Sequence, residues 1–148
     1  LEIKLKSKIN YSFLVKKSGE NKTLNVQEIN TLQKYLTGYY DIELLTIPRI
    51  NFDSVRINQS SKTTYSIPPP GLANIILPSN GYGGVYLKKD DKLEEIYSFK
   101  AEKNQYRLTL LPGNYVVVFR SRSSKKYLYT SEKEFKIKSG KSQLIKIY

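Results

Sequence analysis

Apolar residues in this chain recur every second position. Leu1-Glu2-Ile3-Lys4-Leu5-Lys6 alternates apolar with charged side chains, and Glu134-Phe135-Lys136-Ile137-Lys138 does the same. Tyr40, Ile42 and Leu44 fall on one side of an extended segment, Asp41 and Glu43 on the other. Side chains of an extended chain point alternately to opposite faces, so this pattern buries one face of a strand and leaves a helix without an apolar stripe. Tyr115-Val116-Val117-Val118-Phe119 is apolar on both faces and reads as a central strand covered on both sides. Thirteen tyrosines, with many Val, Ile and Thr, suit pleated surfaces. Turn chemistry recurs at Ser18-Gly19, Asn80-Gly81, Asp90-Asp91, Pro112-Gly113-Asn114 and Ser139-Gly140. The stretch from Val26 to Leu36 is the one candidate helix. Its irregular apolar spacing and Asn30-Thr31 make it a strand and a loop instead.

Pro68-Pro69-Pro70-Gly71 cannot continue a hydrogen-bonded ladder and marks a boundary. It divides the chain into residues 1–70 and 71–148, and the two parts repeat each other. Leu36-Thr37-Gly38-Tyr39-Tyr40 matches Leu111-Pro112-Gly113-Asn114-Tyr115. Ser54-Val55-Arg56-Ile57 matches Glu134-Phe135-Lys136-Ile137. Ser12-Phe13-Leu14-Val15-Lys16-Lys17 matches Gly84-Val85-Tyr86-Leu87-Lys88-Lys89 at an offset of 72. Several short strands per repeat predict an all-β chain of two tandem β-sandwich units of Ig-like or transthyretin-like size. The Pro112-Gly113 pair predicts a type II turn with Gly113 at positive φ, and Gly38 is expected in the same role. Asn80 to Gly84 reads as a surface turn. Alanine is therefore expected to cost on the order of 1 kcal/mol at Gly113 and less at Gly83.

Cysteine and histidine are both absent. Disulfides, Cys/His zinc sites, histidine-ligated haem, thiol nucleophiles and a Ser-His-Asp triad are thereby excluded. No apolar run approaches the roughly 18–20 residues of a spanning helix, so no membrane insertion is expected. Methionine is absent and the chain begins at Leu1, which reads as part of something longer. The 25 basic and 13 acidic residues leave a net charge of +12. A surplus of this size favours polyanionic partners. Arginine occurs only at 49, 56, 107, 120 and 122, against 20 lysines. Readers of nucleic acid lean on arginine, so a nucleic-acid partner is disfavoured.

The Leu-(Thr/Pro)-Gly-x-Tyr turn and the x-Phe-x-Ile-x-x-Gly hairpin resemble carboxypeptidase-regulatory-like and transthyretin-like modules. A longer string runs from Thr23-Leu24-Asn25-Val26-Gln27 through Gly38 to Ile50, Ile67 to Leu72 and Gly81 to Tyr86, and on to Phe135-Lys136-Ile137-Lys138-Ser139-Gly140. Over about residues 23–148 it resembles the C-terminal region of bacterial von Willebrand factor A (VWA) domain proteins. The resemblance implies an accessory β-part of an exported envelope protein, placed in the periplasm or at the cell surface. The Asp-x-Ser-x-Ser loop of a VWA metal site does not occur, and Asp53-Ser54-Val55-Arg56-Ile57 does not supply it. No metal ligand is carried over.

Glu94 and Glu95 are adjacent and would face opposite ways on a strand, so they do not form a converging acid pair. Asp90 and Asp91 sit among Lys88, Lys89 and Lys92 and read as a hairpin turn rather than a calcium loop. Two sites remain. Arg120, Arg122, Lys125 and Lys126, with Lys136 and Lys138 expected nearby, are a candidate polyanion-binding cluster. Tyr82, set between glycines, is a candidate stacking platform for a sugar ring. Asp53-Ser54-Val55 also fits a short O-glycosylation pattern. The expectation is a non-enzymatic structural or interaction module, free of cofactor, that docks a protein partner or a larger envelope assembly. The alternative is a carbohydrate- or polyanion-binding β-sandwich module.

Overall fold

A computed structural model of the chain describes residues 1–5, 9–121 and 130–148. The described residues are all-β, without a helix, so none is long and apolar enough to cross a membrane. They form two compact units, Leu1–Pro69 and Pro70–Tyr148, which meet within the proline run.

The first unit contains β1 (Glu2–Lys4), β2 (Ser12–Lys17), β3 (Asn25–Glu28), β4 (Gly38–Leu44), β5 (Ile50–Ile57) and β6 (Thr64–Ser66). Four of these make an antiparallel sheet in the order β3-β2-β4-β5, and β1 pairs with β6 in parallel. The alternation read from the sequence sets the burial. Leu1, Ile3 and Leu5 are buried beside β1, Phe13 and Val15 on β2, and Tyr40, Ile42 and Leu44 on β4. Side chains from both sheets share one core cluster, the arrangement of a two-layer sandwich. Each fully buried Leu, Ile, Val or Phe contributes roughly 1.5–3 kcal/mol relative to exposure. Inside the core, Gln27 Nε2 donates to the Leu1 and Thr31 carbonyls, and Gln27 Oε1 accepts from the Tyr35 hydroxyl. The amide is thus buried with its polar atoms satisfied.

The second unit contains β7 (Gly71–Ile76), β8 (Gly81–Lys89), β9 (Lys92–Ser98), β10 (Gln105–Leu110), β11 (Gly113–Ser121), β12 (Ser131–Ile137) and β13 (Ser142–Lys146). Its antiparallel sheet runs β9-β8-β11-β12, and β13 pairs in parallel with β7. This is the strand order of the first unit, with β7 and β13 in the places of β1 and β6. Here β10 pairs with β7. In the first unit, irregular chain does that work, with Asn30 N and Gln33 N donating to the Ile3 and Leu1 carbonyls. Central β11 buries Tyr115, Val117 and Phe119 on its core face, while on the other face Val116 is buried, Val118 and Arg120 are half-buried and Asn114 is exposed.

The repeated Leu-x-Gly-x-Tyr phrase has a specific function in this scaffold. Tyr40 Oη donates to the Leu36 carbonyl at 2.6 Å, and Tyr115 Oη donates to the Leu111 carbonyl. Each phenol reaches back four residues to fasten the chain as it enters the central strand, the tyrosine corner of Greek-key sandwiches. The ring lies over the glycine between them. A Cβ on Gly113 would sit 3.6 Å from Tyr115 Cε2, and one on Gly38 would sit 3.8 Å from Tyr40 Cε2. Neither glycine has positive φ; Gly19, Gly83 and Gly140 do. The type II turn expected at Gly113 is therefore wrong: the glycine makes room for a ring and does not supply a left-handed residue.

Candidate functional site

Tyr82 lies on β8, not in a turn. The glycines around it are required by the approach of neighbouring strands. Gly83 has φ +132°, and a Cβ there would overlap the Val118 carbonyl oxygen of β11. A Cβ on Gly84 would overlap the Tyr97 carbonyl oxygen of β9, and one on Gly81 would come within 2.6 Å of the Phe119 ring. Three glycines in four residues thus let β8 lie flush between its neighbours.

The ladder brings the two sequence candidates together. Tyr82 is the partner of Arg120, Gly84 of Val118 and Tyr86 of Val116, so these six residues share one face of the sheet. The Arg120 guanidinium carbon stands 5.8 Å from the Tyr82 ring centroid, and the tyrosine remains 47 % exposed. This is a cation–π contact. Among the described residues no carboxylate lies within ion-pair distance of Arg120. Arg122, Lys125 and Lys126 lie outside the described residues. Lys136 is not a neighbour of Arg120. It pairs with Asn114, six residues away along β11, or about 20 Å at strand rise. The same face carries Glu95 opposite Tyr86, Glu134 opposite Val116 and Glu132 opposite Val118.

Carboxylates elsewhere serve structure. Asp41 Oδ1 accepts from the Ser54 amide and the Ser18 hydroxyl, both at 2.9 Å. The Ser54 amide, followed by the Ser18 hydroxyl, holds this carboxyl below its ordinary pKa. Ser54 is exposed and lies where the β4–β5 register shifts, with φ 54°, so Asp41 clamps a β-bulge. Lys88 Nζ meets Glu134 Oε1 at 2.7 Å beside a cleft of about 460 Å³ lined by Asn114, Tyr115, Phe135 and Lys136. The glutamate raises the lysine pKa by hydrogen bond and charge. Glu95 accepts a hydrogen bond from Ser98. Asp90 and Asp91 form the β8–β9 hairpin turn. No group of three or more acidic residues suited to a metal ion occurs among the described residues. The buried Tyr115 phenol is pushed far up by desolvation.

A surface that sequence reasoning missed lies in the first unit. Of the edge strands in the two four-stranded sheets, β5 and β9 are broken by register shifts, and β12 carries Glu132, Lys133, Glu134 and Lys136. Such features block pairing with another chain. Edge strand β3 reads Asn-Val-Gln-Glu, keeps an unbroken register with β2 and carries a single charge, Glu28 at its end. Val26, exposed at 56 %, lies opposite half-buried Leu14 on the outer face, and Leu24 is exposed at 54 %. The Leu24-x-Val26 spacing was the available signal. Alternation alone does not say which of two faces is covered.

No protein-family model, curated protein or solved structure matches this chain.

Proposed function

We propose that this chain is a non-enzymatic interaction module that docks a partner protein along β3 of the first unit. The observation that carries the reading is the edge of β3, free of lysine and of any register shift, with Leu24 and Val26 exposed along it. An incoming strand would pair with the backbone around Val26, since the Glu28 carbonyl already accepts from the Thr31 hydroxyl, and would meet apolar side chains that favour leaving water. The structural engagement of Asp41, Glu134 and Gln27 supports a scaffold role over a chemical one. On this reading the docking belongs to an envelope assembly outside the cytoplasm, an expectation that rests on the sequence resemblance to the β-part of exported VWA proteins.

The test uses a photo-reactive residue at position 26 in the protein expressed in its own cells, with position 51 on β5 as the comparison. A discrete adduct to one protein is expected from position 26 and not from position 51. It should persist in high salt, since apolar and backbone contacts are little screened. Val26→Lys at the wild-type thermal midpoint should prevent association, because a lysine guards the edge. An interaction unchanged by Val26→Lys, or one that vanishes with added salt, refutes docking along β3.

A further inference from the structure

We infer that Tyr82 and Arg120 form a binding subsite for an acidic sugar residue within a polysaccharide. This inference concerns the second unit and stands independently of docking along β3.

A pyranose presents an apolar face of C–H bonds and, when acidic, a carboxylate or sulfate at its rim. Recognition needs a flat aromatic surface and a cation beside it. Tyr82 supplies a half-exposed ring, and Arg120 stands over that ring 5.8 Å from its centroid, so a sugar seated on the ring's exposed surface lies within reach of the guanidinium. The described ion-paired basic residues are Lys4, Lys16, Arg49, Lys62 and Lys88. Arg120 sits instead against an aromatic ring. Its planar fork matches a carboxylate in a way a lysine cannot.

The surroundings favour a glycan over a nucleic acid. Glu95, Glu132 and Glu134 lie on the same face of the sheet, directly opposite Tyr86, Val118 and Val116. Lys88 holds Glu134 and Lys136 shares the face, so Glu95 and Glu132 are the carboxylates that would repel a phosphate at every residue. A chain with spaced acidic groups and neutral hydroxyls between them is tolerated, because the hydroxyls can donate to carboxylates. The relief of the face also suits an extended chain. Tyr82 and Tyr86 project on either side of Gly84, about 13 Å apart along the strand, with no side chain between them on that face of β8. The close backbone approach at Gly81, Gly83 and Gly84 fixes β8 against its neighbours and so pre-organises the ring.

The 148-residue chain should be titrated calorimetrically with hyaluronan oligosaccharides, whose carboxylates alternate with neutral sugars. Neutral chitin oligosaccharides, polyphosphate and a single-stranded oligonucleotide are the comparisons. Saturable binding to hyaluronan is expected, with the neutral chain weaker by about tenfold or more. Tyr82→Ala and Arg120→Lys should each weaken hyaluronan by about tenfold, whereas Tyr82→Phe should bind as the wild type because it keeps the ring. Arg120→Lys retains the charge, so an unchanged affinity would mean charge alone was acting and would overturn the subsite. Absence of saturable hyaluronan binding overturns it as well. So does polyphosphate or the oligonucleotide binding as tightly as hyaluronan. Both side chains reach the surface, and a thermal midpoint near the wild-type value in each variant ties any loss to the site.

Discussion

Gly83→Ala should be among the most damaging single methyl additions in the second unit, and Gly113→Ala among the mildest. At Gly83 the backbone has φ +132°, a region essentially closed to L side chains. Forcing alanine into it costs about 1–3 kcal/mol. The new Cβ would also overlap the carbonyl oxygen of Val118 on β11. Relief requires β8 and β11 to part, and each ladder hydrogen bond weakened adds roughly 0.5–1.5 kcal/mol. A total of about 2–4 kcal/mol follows. For a domain of this size each kcal/mol moves the thermal midpoint by roughly 4–8 °C, so a fall of about 8 °C at the least is expected. Whole domains have only about 5–15 kcal/mol, so little further loss is compatible with a folded unit. At Gly113, by contrast, φ is not left-handed, and the added Cβ meets Tyr115 Cε2 at 3.6 Å and Leu87 Cδ1 at 3.7 Å, ordinary contacts. Alanine there also restricts the unfolded chain, worth about 0.4–1 kcal/mol in favour of the fold. Differential scanning calorimetry on the 148-residue chain measures both variants, and hydrogen exchange at β8 and β11 assigns the transition. A Gly113→Ala midpoint below that of Gly83→Ala would refute the reasoning, and with it the flush packing of β8.

Tyr115→Phe should destabilise the second unit by about 1–3 kcal/mol, because the Leu111 carbonyl loses its buried donor; calorimetry checks it, and Tyr40→Phe should act in the same direction in the first unit. The Tyr115 pKa is raised in the fold by desolvation, so the stability it brings is complete below the ordinary phenol value of 10.0 and is lost as pH rises above it. Tyr115→Phe should flatten that alkaline fall in denaturant titrations across pH. The Asp41 pKa is depressed, so its contribution is complete above the ordinary value of 3.8 and is lost as pH falls through it; Asp41→Asn should lower stability at neutral pH and reduce the acid-induced loss in the same titrations.

Much of the fold was legible because period-two alternation records burial directly. Tyr40, Ile42 and Leu44 were assigned to one face and are all buried, and the doubly apolar run from Tyr115 to Phe119 is the central strand β11. Register was less legible. Tyr40 faces Val55, and Tyr115 faces Phe135, as the matched sequence blocks imply. Val15 faces Ile42 while Val85 faces Val117, so β2 and β8 correspond at an offset of 70 and not 72. A slip of two residues leaves every side chain on its own face, so the apolar pattern cannot detect it. The glycines misled for a related reason. The positive φ of Gly83 goes with the approach of the Val118 carbonyl, a partner remote in sequence, whereas Pro112-Gly113 only looked like a left-handed turn. Tyr82 and Arg120 were each singled out by local chemistry. Their pairing is a property of the β8–β11 ladder and has no local signature.

The division of roles between the units follows from what they share. Both use the same order in the four-stranded sheet and fasten the central strand with a phenol reaching four residues back, at Tyr40 and at Tyr115. A device common to both carries stability and cannot distinguish one unit's partner from the other's. Distinction has to come from surfaces that differ at equivalent places. On the strand that flanks the central one, the first unit has Ser12-Phe13-Leu14-Val15, with full side chains on both faces, and the second has Tyr82-Gly83-Gly84-Val85. On the next strand out, the first unit has β3, short, free of lysine and unbroken in register, and the second has β9, which is longer, charged and shifted in register. The edge that invites a strand in one unit is closed in the other, and the face that is stripped of side chains in one is covered in the other. This difference is what the two proposals rest on, a protein segment for the first unit and a chain with a flat apolar face for the second. Val26→Lys should accordingly prevent the protein association alone and Tyr82→Ala weaken the glycan binding alone, and an effect of either substitution on both would show that the units do not act separately.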